Sequence, residues 1–203
     1  MRFGALRRAI PQEMRTAQYQ DKELVVAILS NCFDDNRSVN YLIRQDTNRQ
    51  ARIRRLMEYA FKVCHRFGMV LLSDDSKACA LLLLPEKKRT TLRSFLWEVT
   101  LVATCIGISH VNKAWRRERK IKALQPRERV YYLWFIGVEP GEQNKGMGTR
   151  LLEEVMTLAR SRQRTICLET STAKNLSWYQ RHGFSIYHEL DLGYTLYFLK
   201  TET

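Results

Sequence analysis

From Gly137 to Leu152 the chain reads Gly137-Val138-Glu139-Pro140-Gly141-Glu142-Gln143-Asn144-Lys145-Gly146-Met147-Gly148-Thr149-Arg150-Leu151-Leu152. A β-type run ends, the chain turns, and glycines stand where a long helical pattern begins. Glycine lets backbone approach a ligand closely. The unpaired N–H groups of a first helical turn, aided by the helix dipole, suit a phosphate or pyrophosphate. The segment therefore reads as an anion cradle spanning Gln143, Asn144, Lys145, Gly146, Met147, Gly148 and Thr149. It lacks the third glycine of a dinucleotide fingerprint and the Gly-Lys-Ser/Thr ending of a P-loop, so both nucleotide readings drop out.

A second informative stretch runs from Leu168 to Phe184, with Asn175, Tyr179, Gly183 and Phe184 at fixed spacing. Asn175 and Tyr179 are four residues apart and share one helix face. Together the two stretches resemble the GNAT acyltransferase superfamily. That family has a Q/R-x-x-G-x-G/A loop after its fourth strand, matched by Gln143 to Gly148, and an N-x-x-x-Y-x-x-x-G-F junction after its fifth. Within the superfamily, the Gly-Val-x-Pro turn, the Leu-Glu-Thr-Ser strand end and the Asn-Leu-x-x-Tyr spacing are most similar to puromycin N-acetyltransferase-like members. The close likeness covers about residues 130–190.

The resemblance implies an α/β fold with a mixed, mostly antiparallel sheet, splayed parallel central strands and flanking helices. It implies acetyl-CoA as cosubstrate, lying in the V-shaped opening with its diphosphate on the loop amides, Lys145 and Arg150 adding charge, and Asn175 bonding the pantetheine arm. Val138 would offer its N–H to the thioester carbonyl. Tyr179 would be the general acid, because a phenol of ordinary pKa about 10 can give a proton to the departing thiolate at neutral pH. The base is expected at Glu169, at the end of the fifth strand. Glu142 reads as solvent-facing, His182 as a structural histidine beside a turn, and Cys167 as a buried, inert thiol.

The elements that must position these groups are legible as patterns. Leu24, Val25, Ile28, Leu29 and Phe33 give a helix over 21–33, and Ile53, Leu56, Met57, Ala60, Phe61 and Cys64 another over 48–67. Strands are expected at 69–72 and 77–84 around the turn Ser73 to Ser76, then helices over 92–106 and 110–124, with Phe95 and Trp97 in the core. Val130 to Val138, rich in aromatic and β-branched residues, reads as a central strand. A helix over 146–162, a strand at 165–169, a short helix over 173–182 and a closing pair at 184–188 and 194–199 complete the order. The acceptor pocket is expected from the N-terminal helices, the fourth strand and the hairpin near Asp191 to Tyr194.

Composition sets the outer bounds. The 203 residues carry 34 Lys and Arg against 21 Asp and Glu, a net charge of +13. The excess is uneven: residues 1–125 hold 24 basic and 12 acidic residues, and residues 126–203 hold 10 and 9. Six of the basic residues, Lys113, Arg116, Arg117, Arg119, Lys120 and Lys122, fall on one helix and read as a solvated face. Five widely spaced cysteines without a CxxC pair argue against a zinc or redox site and for a reduced, cytoplasmic chain. The longest apolar run, Val99 to Ile108, falls short of the roughly 20 residues of a membrane span. Residues 1–20 are expected as a basic, flexible segment and 21–203 as one domain. The function expected is direct transfer of an acetyl group from acetyl-CoA to a primary amine of a small molecule, with no metal and no membrane or nucleic-acid partner; a homodimer is left open. The alternatives are a protein or peptide N-acetyltransferase and a non-catalytic CoA-binding or nucleic-acid-associated module, the latter motivated by the N-terminal charge.

Overall fold

A computed structural model describes residues 14–107 and 110–202. Strand β1 (Met14–Thr16) is followed by helices α1 (Lys22–Cys32), α2 (Arg37–Leu42) and α3 (Arg49–Phe67), then by the hairpin β2 (Gly68–Ser73) and β3 (Ala78–Leu83). Helix α4 (Leu92–Leu101) passes into a π-helical turn, Val102–Ile106, before α5 (Val111–Leu124). The second half runs β4 (Val130–Val138), α6 (Met147–Ser161), β5 (Thr165–Thr170), α7 (Leu176–Arg181), β6 (Phe184–Asp191) and β7 (Thr195–Thr201). The seven strands form one sheet in the order β1-β2-β3-β4-β5-β7-β6. Only β4 and β5 are parallel, as the crossover through α6 requires. This is the mixed, mostly antiparallel sheet expected.

Each face has its own core. Val25, Ile28 and Leu29 of α1 pack with Ile53, Met57 and Phe61 of α3 on one face, while Leu151, Leu152, Val155 and Ala159 of α6 cover the other. Helix α5 closes over the hairpin, with Ile121 against Leu196 and Phe198. Helix α1 lies so close to β4 that a Cβ on Gly137 would stand 3.0 Å from Cys32 Sγ and 3.2 Å from Leu29 Cδ2.

Three expectations change. The 1–20 segment does not end as a tail: Met14, Arg15 and Thr16 pair with Ser73, Leu72 and Leu71, and Arg15 forms an ion pair with Asp21 at 2.7 Å. Residues 1–13 lie outside the described residues. Phe95 is not core but 52% exposed, as are Leu92, Leu96 and Val99 to similar or greater degree; α4 turns Ser94, Trp97 and Leu101 inward instead. Helix α2, set by Asn36 accepting from the Val39 N–H at 3.1 Å, had no counterpart in the reading of the sequence.

Candidate active site

The site begins where β4 and β5 part. Val130, Tyr131 and Tyr132 pair with Thr165, Ile166 and Cys167; beyond them β4 follows β3 and β5 follows β7, leaving a V-shaped gap. A β-bulge lies at the divergence. Leu82 pairs with Leu133 and Leu81 with Phe135, so Trp134 is an extra residue on β4. Trp134 and Phe135 consequently pack toward the same core, that of α1 and α3. The gap opens into a cleft of about 1910 Å³ that passes from one side of the sheet to the other.

Beyond the bulge the ladder fixes which backbone groups face the gap. The Glu139 N–H bonds Lys77 O at 2.8 Å, so by the alternation of an antiparallel pair the Val138 N–H points away from β3, toward the opening. The Val138 carbonyl accepts from Gln143 Nε2 at 3.0 Å and from the Cys32 thiol at 3.0 Å, which anchors both the following loop and α1 to this strand end.

The loop from Gln143 to Thr149 is shaped by two left-handed residues, Asn144 at φ 61° and Gly146 at φ 82°. Such alternation turns successive N–H groups inward into a concave nest. Gly146 caps α6 without a side-chain partner for the first-turn amides, and a Cβ built on it would meet nothing within 4 Å. A glycine with open space before it and uncapped amides beside it fits an anion such as a diphosphate. Gln143, Asn144, Gly146, Gly148 and Thr149 line the cleft, as do Val138 and Asn175. Two cradle residues stand apart from it by side chain: Lys145 pairs with Glu142 at 2.9 Å, and Met147 packs into the α6 core. Glu142 also takes Lys77 at 2.7 Å, and the two ammonium groups hold its carboxyl well below the usual range.

Tyr179 lies on α7, packed between Trp178 and Phe184 at ring-centroid distances of 4.7 and 5.5 Å. It is buried yet lines the cleft, and its hydroxyl has no hydrogen-bond partner among the described residues. Burial raises its pKa further above that of a free phenol, so it stays protonated at neutral pH. Trp178 Nε1 donates to Thr149 Oγ1 at 3.1 Å and ties α7 to the head of α6. His182 bonds the Trp178 carbonyl through Nδ1 at 2.7 Å, a structural contact at the helix end. Cys167 is buried, with its thiol pKa pushed up by burial.

Glu169 reaches the gap from the opposite face. It is the cross-strand partner of Phe198, which packs under α5, whereas Tyr179 belongs to the α6 core. Its Oε2 accepts from the Tyr132 hydroxyl and its Oε1 from Gln125 Nε2 at 3.3 Å. Burial pushes its pKa up to about 7, a rise moderated by those two donors and by the nearby Arg117. Tyr132, Gln125 and Arg117 were not singled out for this role. The signal was a phase: Arg117, Ile121 and Gln125 repeat at i, i+4, i+8 and form the inward stripe of α5, while Lys113, Arg116, Arg119, Lys120 and Lys122 are exposed.

The fold and its cleft define a class. Residues 97–186 match the model described as the acetyltransferase (GNAT) domain. Its structure is similar to that of a histone acetyltransferase HPA2 and related acetyltransferase from Corynebacterium glutamicum, with TM-score 0.70, 18% identity, and coverage of 95% of this chain and 96% of that one. It is also similar to arylalkylamine N-acetyltransferase 2 from Aedes aegypti, with TM-score 0.63, 13% identity, and coverage of 93% and 96%. A third is the C-terminal condensation domain of Ebony in complex with beta-alanyl-dopamine, with TM-score 0.66, 9% identity, and coverage of 95% and 99%. At these identities the likeness is one of fold. The narrower likeness to puromycin N-acetyltransferase-like members rests on the motifs alone.

Among the described residues no group of three or more His, Cys, Asp or Glu could hold a metal ion, and no helix is long and apolar enough to cross a membrane.

Proposed function

We propose that this protein transfers the acetyl group of acetyl-CoA directly to the primary amine of a small molecule. The observation that carries the reading is the placement of Glu169 and Tyr179 on opposite faces of one gap whose edge presents the Val138 N–H. Amide N–H groups of the Gln143–Thr149 loop bind the diphosphate, and Asn175, on the cleft wall, bonds the pantetheine arm. The thioester supplies the acyl group. The Val138 N–H donates to its carbonyl oxygen, where negative charge grows as the C–N bond forms; one such fixed donor is worth about 3 kcal/mol in other enzymes. Glu169, deprotonated above about pH 7, takes a proton from the acceptor's ammonium, directly or through a water, and frees the amine that attacks. Tyr179 gives its proton to the sulfur as the C–S bond breaks, and the second proton lost by the nitrogen restores the phenol.

A small acceptor is favoured by the cleft wall on the Glu169 side, where Phe33, Tyr59, Tyr132, Trp134 and Phe135 stand close together. Such a wall binds a compact apolar body rather than extended backbone. The named amine chemistry of the Aedes aegypti enzyme is in keeping with it. The test is amine-dependent release of free CoA thiol, with the N-acetyl product identified by mass, across small amines and short peptides. Release with small amines is expected; release with peptides alone would transfer the reading to a peptide acetyltransferase, and no release would remove it.

A further inference from the structure

Of the basic α5 run, Arg117 and Lys122 line the cleft; Lys122 is exposed and pairs with Glu118 at 3.6 Å, whereas the partners of Arg117 are neutral. Its Nε donates to the Tyr194 hydroxyl at 3.2 Å and its Nη2 to Ser38 Oγ at 2.5 Å. The same two hydroxyls stand 3.4 Å apart, so α2, α5 and the β6–β7 turn meet at this guanidinium. Among the described residues no carboxylate lies within ion-pair distance of it. A guanidinium is always charged and carries five N–H groups in a planar fork. Among the described residues the two contacts leave Nη1 and the second Nη2 hydrogen without partners, on a residue of the cleft wall. A partly buried cation that meets only hydroxyls is costly unless an anion completes it.

Its neighbours say where that anion would sit. Arg117 is near enough to Glu169 to favour the ionised carboxylate, and Gln125, the residue that caps the end of α5, bonds Glu169 itself. An acceptor whose amine meets Glu169 therefore brings its adjoining atoms to Arg117. On the same side, Phe33 and Phe135 meet edge to face at 4.9 Å and Trp134 stacks on Phe135 at 5.7 Å, forming an apolar wall for the remainder of the molecule.

Resting on the proposed acetyl transfer, we infer that the acceptor is an amino-carboxylic acid with an aromatic body, its carboxylate held by the Arg117 fork and its amine presented to Glu169. Bidentate Arg–carboxylate pairing gives both energy and direction, which a lone ammonium does not.

The experiment compares kcat/KM for phenylalanine and phenethylamine, which differ by the carboxylate, in the wild-type protein and in Arg117→Met. Charged hydrogen bonds of this kind support a preference of about 100-fold for phenylalanine. In Arg117→Met the ratio is expected to fall to near one, whatever happens to either rate alone. Arg117→Lys keeps the charge without the fork and should recover only part of the ratio. Should the variants fail to fold, the wild-type ratio decides, together with competitive inhibition of phenethylamine acetylation by 3-phenylpropanoate and not by its amide. A wild-type ratio near or below one, or a ratio that survives in folded Arg117→Met, overturns the inference and leaves the acetyl transfer standing. No transfer to any amine overturns both.

Discussion

The Tyr132 hydroxyl donates a hydrogen bond to Glu169 Oε2 across the point where β4 and β5 stop pairing. The donor comes from the last paired region of one strand and the acceptor from the first free residues of the other. The same divergence that opens the cleft thus fixes a carboxylate on its rim, and the surrounding burial brings that carboxylate's pKa up to about 7.

The pH profile follows with a definite sign. A base must be ionised, so kcat/KM should rise about tenfold per unit below pH 7 and level off above it. Glu169→Gln should abolish that limb and lower the plateau by about 100-fold. Tyr132→Phe removes a donor that favours the ionised form, so its limb should move to higher pH. A profile of Glu169→Gln that keeps the wild-type limb would exclude Glu169 as the base.

Stability should carry the same signature. The folded pKa of Glu169 lies above its unfolded value, so this residue opposes folding progressively as pH rises from about 4.5 through about 7. Thermal unfolding should therefore show Glu169→Gln gaining on the wild type between pH 5 and pH 8. A gain that is equal at both pH values would mean that the carboxylate is not desolvated as described.

Tyr179→Phe keeps the ring packed between Trp178 and Phe184 and removes only the hydroxyl proposed to protonate the thiolate. Acetyl-CoA affinity should be retained and turnover should fall about 100-fold. Turnover equal to the wild type's would take Tyr179 out of the mechanism.

Much of this site is legible in the sequence. Val130 to Val138 spells out its strand through unbroken β-branched and aromatic residues, and the helix after Gly146 through Leu151, Leu152, Val155 and Ala159. The spacing of Asn175 and Tyr179 predicted one helix for both, whereas Asn175 ends a 3-10 turn and caps α7, which carries Tyr179. Three-residue β1 and six-residue α2 were not legible, because neither is long enough for a period to show. The bulge at Trp134 was hidden because it exists only in the register against β3. Glu169 was readable as a strand-end carboxylate, but its raised pKa was not. Its partners Tyr132, Gln125 and Arg117 lie 37, 44 and 52 residues away in a chain whose folding alone brings them together.

Gly146 separates charge from shape. Its φ of 82° makes Gly146→Ala strained by about 1 kcal/mol, although nothing obstructs the added carbon. Gly146→Glu carries the same strain and adds a carboxylate at the proposed diphosphate site. Acetyl-CoA affinity should fall by less than about tenfold in the first, given that strain, and become undetectable in the second; equal losses in both would point to backbone geometry rather than anion binding.

The most direct measurement is calorimetric titration of the full chain with acetyl-CoA, CoA and ATP at physiological salt. Micromolar binding of the two CoA species, no comparable binding of ATP, and loss of the signal in Gly146→Glu are the predicted results. Absence of binding by either CoA species, or ATP binding as tightly as acetyl-CoA, would contradict the assignment of the β4–β5 cleft to acetyl-CoA.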